Sequence, residues 1–167
     1  KVRHPELEIF SVPGGEQLHL CALIADATSM ELGPDGDTLA VGTATGTVSL
    51  WSMQSGGLLR RFDTETSDAC AHLAFSPMGE ELAAAYSGKA VARVWQLSHT
   101  DLAPPVECRI ASAGYHQGVV ALRGDGKRLV FGGGTMVRVF DASTGEAVSD
   151  PLEHEDEVTG VAFLPSG

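Results

Sequence analysis

The residues with the most obvious chemical potential in this 167-residue chain are a glycine triplet, two acidic clusters and three cysteines. Gly132-Gly133-Gly134 offers backbone amides of the kind that cradle anions. That mechanism needs a strand, a glycine loop and then a helix start, whereas residues 135–140 read as another strand, so a tight turn is expected. Asp35-Gly36-Asp37 resembles the opening of a calcium loop but lacks the third spaced carboxylate and the terminal glutamate, which again leaves a turn. His154-Glu155-Asp156-Glu157 has no second histidine at metalloprotease spacing, and Val158 opens a strand pattern. No Gly-x-Ser-x-Gly elbow occurs, and Ser76-Pro77 belongs to a repeated turn. Cys21, Cys70 and Cys108 lack Cys-x-x-Cys spacing, occupy unrelated repeat positions and are expected as buried small hydrophobes. The reading contains no catalytic set, no cofactor site and no metal site.

Composition narrows the partners. A formal net charge of −11, from 22 acidic and 11 basic side chains, opposes attachment to a phosphate backbone. The basic pairs Arg60-Arg61 and Lys127-Arg128 stop short of a stripe, so nucleic acid is not the expected partner. An odd number of cysteines without close pairing favours a reducing compartment, and the cytoplasm is the expected location. No run approaches the roughly 18 apolar residues of a membrane helix.

The elements that must position any site announce themselves by repetition. Leu7-Glu8-Ile9-Phe10, Val48-Ser49-Leu50-Trp51, Ala92-Arg93-Val94-Trp95 and Val137-Arg138-Val139-Phe140 end on rings spaced 41, 44 and 45 residues apart. Turn sequences recur with them: Gly33-Pro34-Asp35-Gly36, Ser76-Pro77-Met78-Gly79, Arg123-Gly124-Asp125-Gly126 and Leu164-Pro165-Ser166-Gly167. Proline presets the bend and glycine accepts positive φ, so each joins two antiparallel strands. The runs that follow, such as Leu82-Ala83-Ala84-Ala85, are apolar on both pleat faces and must be covered on both sides. A period of roughly 40 to 45 residues is that of a four-stranded propeller blade. The expected fold is therefore all-β, a β-propeller segment of four-stranded antiparallel blades. Three blades (23–62, 66–112, 113–152) lie between a partial one (1–22) and the start of another (154–167), with the remaining blades elsewhere in the parent chain. Leu18, Leu59 and Val148, each eight residues beyond a ring, are expected to pack inward from fourth strands. The Pro104-Pro105 connection is the expected site of a tolerated insertion.

These spacings resemble the WD-repeat, or WD40, family of β-propellers over essentially the whole chain. His154, Val158, Val161, Phe163 and Pro165 reproduce its histidine, first strand and turn, and Phe140-Asp141 takes the place of its Trp-Asp pair. The family's hydrogen-bonded chain of histidine, hydroxyl, tryptophan and aspartate is not complete in any unit. Leu23, Thr66 and Ala113 replace the histidine, and His4, Thr45, Lys89 and Gly134 occupy the aspartate position. The resemblance implies blades held mainly by packing.

It also implies a binding face built from the loops joining fourth to first and second to third strands. Those loops contain Asp68, Tyr86, Lys89, Tyr115, His116, Gln117, Glu155 and Asp156. Tyr86 and Tyr115 are candidate contact residues because tyrosine combines apolar area with a polar tip. The acidic segment 150–157 could steer a basic partner. The expectation is a noncatalytic scaffold that binds a protein or peptide through this face. The alternative is a sensor or regulatory segment of a larger enzyme, a kinase or signalling NTPase, as in many bacterial members of the family.

Overall fold

The computed structural model describes residues 5–64, 68–98, 103–111 and 117–164. Among them every regular element is a strand. The first sheet is the hairpin β1 (Glu6–Phe10) and β2 (Gln17–Ala22). Three four-stranded sheets follow, each in sequential antiparallel order. The second holds β3 (Ala27–Leu32), β4 (Thr38–Thr43), β5 (Val48–Ser52) and β6 (Leu58–Phe62). The third holds β7 (Cys70–Phe75), β8 (Glu81–Tyr86), β9 (Val91–Gln96) and β10 (Val106–Arg109). The fourth holds β11 (Gly118–Leu122), β12 (Arg128–Gly133), β13 (Met136–Asp141) and β14 (Leu152–Glu153). Repeated four-stranded antiparallel sheets of this kind are consistent with propeller blades.

Turn chemistry sets each first hairpin. Gly36, Gly79 and Gly126 have φ near +70° and donate to the carbonyls of Gly33, Ser76 and Arg123. Only glycine enters that region without strain. The Gly134-Thr135 pair closes β12 onto β13, with Gly133 paired to Met136, so the glycine triplet is a hairpin and precedes no helix. The turn at Leu164-Pro165-Ser166-Gly167 lies largely outside the described residues.

First strands of successive sheets adjoin, β3 against β7 and β7 against β11, so the sheets stand side by side with first strands at one edge. Because side chains alternate across the pleat, a central strand feeds two interfaces at once. Leu82, Ala84 and Tyr86 of β8 pack toward the second sheet, while Ala83 and Ala85 pack toward the fourth. Three apolar layers result, one between each successive pair of sheets. Trp51, Trp95 and Phe140 each join the layer shared with the preceding sheet and are buried. Phe10, the ring in the same slot of the first sheet, is 50% exposed because no described sheet precedes it.

Several expectations need correction, among them that of a strand from Val158: the described residues after β14 form none, no sheet being described beyond the fourth to pair with them. Leu18, Leu59 and Val148 are half-exposed. Leu18 and Leu59 are the extra residues of β-bulges, where the register jumps from Ile9↔His19 to Phe10↔Gln17 and from Leu50↔Arg60 to Trp51↔Leu58. A bulge shifts the pairing by one residue and so changes which residues of the strand point inward. The inward fourth-strand residues are instead Cys21, Phe62 and Cys108, opposite Leu7, Val48 and Ala92. Cys21 and Cys108 therefore share one repeat position, which the sequence had not revealed.

Candidate interaction surface

In a sequential antiparallel sheet, the loop entering the first strand and the loop joining second to third strands leave from the same end. Here they are tied together. Ala44 N donates to Asp26 O at 2.9 Å in the second sheet, and Ser87 N donates to Ala69 O at 3.0 Å in the third. The Lys89 ammonium adds an ion pair of 3.1 Å to Asp68, whose side chain keeps only 19% exposure. The lysine thus braces the loop pair. Asp68 is thus part of the scaffold of this face as well as of its surface.

Glu155 and Asp156 are fully on the surface, in the segment after β14. That segment is anchored by His154 N donating to Thr135 O and Val158 N donating to Gly134 O, both at 2.8 Å. Gln117 and Glu157, from two successive entering loops, line one hollow of about 360 Å³. Tyr115 and His116 lie outside the described residues. Among the described residues, no three histidine, cysteine or acidic side chains gather as a metal site. No described helix is long and apolar enough to cross a membrane.

Tyr86 does not belong to this surface. It is the last residue of β8, 1% exposed, with its ring in the layer between second and third sheets. The Arg93 guanidinium carbon lies 5.1 Å from the ring centroid. Burial pushes the tyrosine pKa up, and its enclosed hydroxyl faces the Arg93 and Thr64 side chains. The strand simply runs one residue further than the sequence pattern suggests, carrying the tyrosine into the core.

At the ring slots and the turns after them the polar contacts are short-range, whereas Thr28 Oγ1 donates across sheets to Cys70 O at 2.7 Å. Trp51 Nε1 donates to Ser49 Oγ at 2.9 Å, two residues back on the same strand. Asp141 caps the next turn through Ser143 N and Oγ and pairs with Arg128. Ser52, its counterpart after Trp51, caps Ser55 N at 3.1 Å and donates to Asp37.

A second concavity escaped the sequence reading. Between β6 and the β9–β10 pair lies a cleft of about 580 Å³, walled by Phe62, Trp95, Pro104 and Pro105 and by the ion pairs Arg61–Asp63 and Arg93–Glu107. Arg93 and Glu107 face each other in the ladder. The only sequence signal was opposite charges on two strands whose register was not yet known.

Residues 20–52, which run from β2 through β5, match the family model described as WD domain, G-beta repeat. A search of curated proteins returned no match.

Proposed function

We propose that this chain, which carries a WD repeat at residues 20–52 among repeated four-stranded sheets, is a noncatalytic scaffold that binds a protein or peptide through its loop-bearing end. The observation that carries the reading is the bracing of entering and second-to-third loops by Ala44–Asp26, Ser87–Ala69 and Asp68–Lys89. Rigid strands that hold variable loops at one end make a recognition platform. Glu155 and Asp156, exposed beside it, supply negative charge that suits a basic partner. Tyr115 and His116 fall in the same loop class and complete the proposed contact set. Three free, buried thiols support a reducing compartment, and the cytoplasm is the proposed location.

Affinity capture with the full chain tests the surface. Glu155→Gln with Asp156→Asn, and separately Tyr115→Ala, are expected to weaken retention of the captured partner at least fivefold while leaving the melting temperature unchanged. Retention unaffected by both variants overturns the assignment of this face.

A further inference from the structure

We propose that the apolar groove between the first-to-second-strand turns of the second and third sheets is a second binding site, which takes a peptide segment presenting a large apolar side chain beside a lysine or arginine. It lies at the end of the sheets opposite the braced loops, and its case is independent of that reading.

The groove has a volume of about 430 Å³ and is lined by the two turns and by Leu50, Leu59, Phe75 and Leu97. Leu50 is buried and Phe75 and Leu97 are half-buried, but Leu59 is 56% and Met78 76% exposed. Each exposure has a local cause. Leu59 is the extra residue of the β6 bulge, a feature that re-aims a side chain. Met78 stands at the turn position that Asp35 and Asp125 fill in the sheets on either side, where each carboxylate accepts from the amide two residues on. In the third sheet Ser76 Oγ ties the turn instead, accepting from Glu81 N at 3.0 Å. The methionine therefore adds nothing to its own turn, and its flexible, polarizable side chain suits an adaptable contact surface. The next turn along presents Asp125 paired with Arg123, so the apolar tip belongs to this junction and not to the repeat.

Charge decides what must accompany the apolar group. Asp35 is the single charged residue among those lining the groove, and its partners, the Thr38 hydroxyl and the amides of Thr38 and Asp37, are all neutral. Those bonds hold its pKa down, so the carboxylate stays ionised at neutral pH, and no described cation pairs with it. A lysine or arginine is the complementary group, and the net charge of −11 favours its approach. A leucine- or phenylalanine-sized neighbour then leaves water against Leu59, Phe75 and Met78.

The test uses the full chain with methyl-labelled methionine, titrated in NMR with N-acetyl-Phe-Arg-amide and two twins, one with Gln for its Arg and one with Ala for its Phe. The Phe-Arg peptide is expected to move the Met78 methyl signal saturably, to leave those of Met30 and Met136 in place, and to bind at least fivefold tighter than either twin. Leu59→Ser, at an exposed position, is expected to weaken it at least fivefold with the melting temperature unchanged. Asp35→Asn keeps an acceptor for the turn amides and is expected to erase the preference for Arg over Gln. No saturable shift in the millimolar range, equal binding of the twins, or full binding by Leu59→Ser overturns the proposal. An Arg preference that survives Asp35→Asn overturns it too, because the field of the whole chain then accounts for the attraction. A Met78 signal that follows protein concentration without peptide gives the groove to a second copy of the chain and equally overturns it. Glu155→Gln with Asp156→Asn is expected to leave these titrations unchanged, so the two readings fail separately.

Discussion

The ring of Phe62, at the end of β6, lies 5.0 Å from the ring of Trp95 on β9, with the planes tilted by 35°. The contact joins the fourth strand of one sheet to the third strand of the next, and each buried ring of the repeat leans on the sheet before it in this way. Trp95→Ala is therefore expected to cost about 3 to 5 kcal/mol by opening a cavity in a shared layer. Phe10→Ala, at the half-exposed member of the series, and His154→Ala, on the surface, are expected to cost less than about 1 kcal/mol. Urea denaturation of the three variants checks the ranking, and equal losses at positions 95 and 154 would contradict it.

Glycine controls how closely the sheets approach. A Cβ on Gly42 would lie 2.7 Å from Cys70 Cβ and meet Cys70 Sγ, both on the first strand of the next sheet. Gly42→Ala is expected to cost about 1 to 3 kcal/mol through overpacking. At Gly124 an added Cβ meets nothing within 4 Å, so Gly124→Ala is expected to stay within about 0.5 kcal/mol of the parent. The same denaturation assay separates them.

Acid should loosen the fourth sheet in a defined window. Hydrogen bonds from the Ser143 side chain and backbone, then the Arg128 guanidinium, hold the Asp141 pKa down at about 2. A carboxylate depressed in the folded state stabilises it above the unfolded pKa, about 3.9, and that contribution is lost as pH falls through the folded value. Stability is thus expected to drop between about pH 4 and pH 2, and Asp141→Asn should flatten that limb. Denaturation midpoints measured across this range supply the check.

The thiols should be silent until the chain unfolds. Cys21, Cys70 and Cys108 are all buried, and burial pushes Cys70 and Cys108 up to about 12 and Cys21 in the same direction. Thiolate is the reactive form. Titration with a chromogenic disulfide at pH 8 is expected to find fewer than one reactive thiol in the native chain and three in denaturant. Rapid native labelling of Cys70 would contradict the packing of the layer between second and third sheets.

Much of the blade pattern was legible because it rests on local chemistry. Gly36, Gly79 and Gly126 read as turns since positive φ is a property of single residues, and runs such as Leu82–Ala85 read as two-sided strands since their neighbours in sequence share the pleat. Leu18 and Leu59 were misread because a bulge depends on how two strands fit, and neither strand alone records it. Tyr86 was misplaced for a related reason: one extra residue of pairing, Cys70↔Tyr86, carried it from loop to core. The equivalence of Cys21 and Cys108 was hidden by the longer connection that contains Pro104-Pro105.

By itself the sequence determined the repeat: the ring slots, the turn glycines and the doubly apolar strands that cannot exist without a sheet on each side. Only the tertiary structure decided what those repeats bring together. Asp68 meets Lys89, and the Arg93 guanidinium is enclosed beside Tyr86, because charge and burial at a point in space depend on strand register and on the neighbouring sheet. Periodicity sets how many sheets form; the fit between them sets which groups meet.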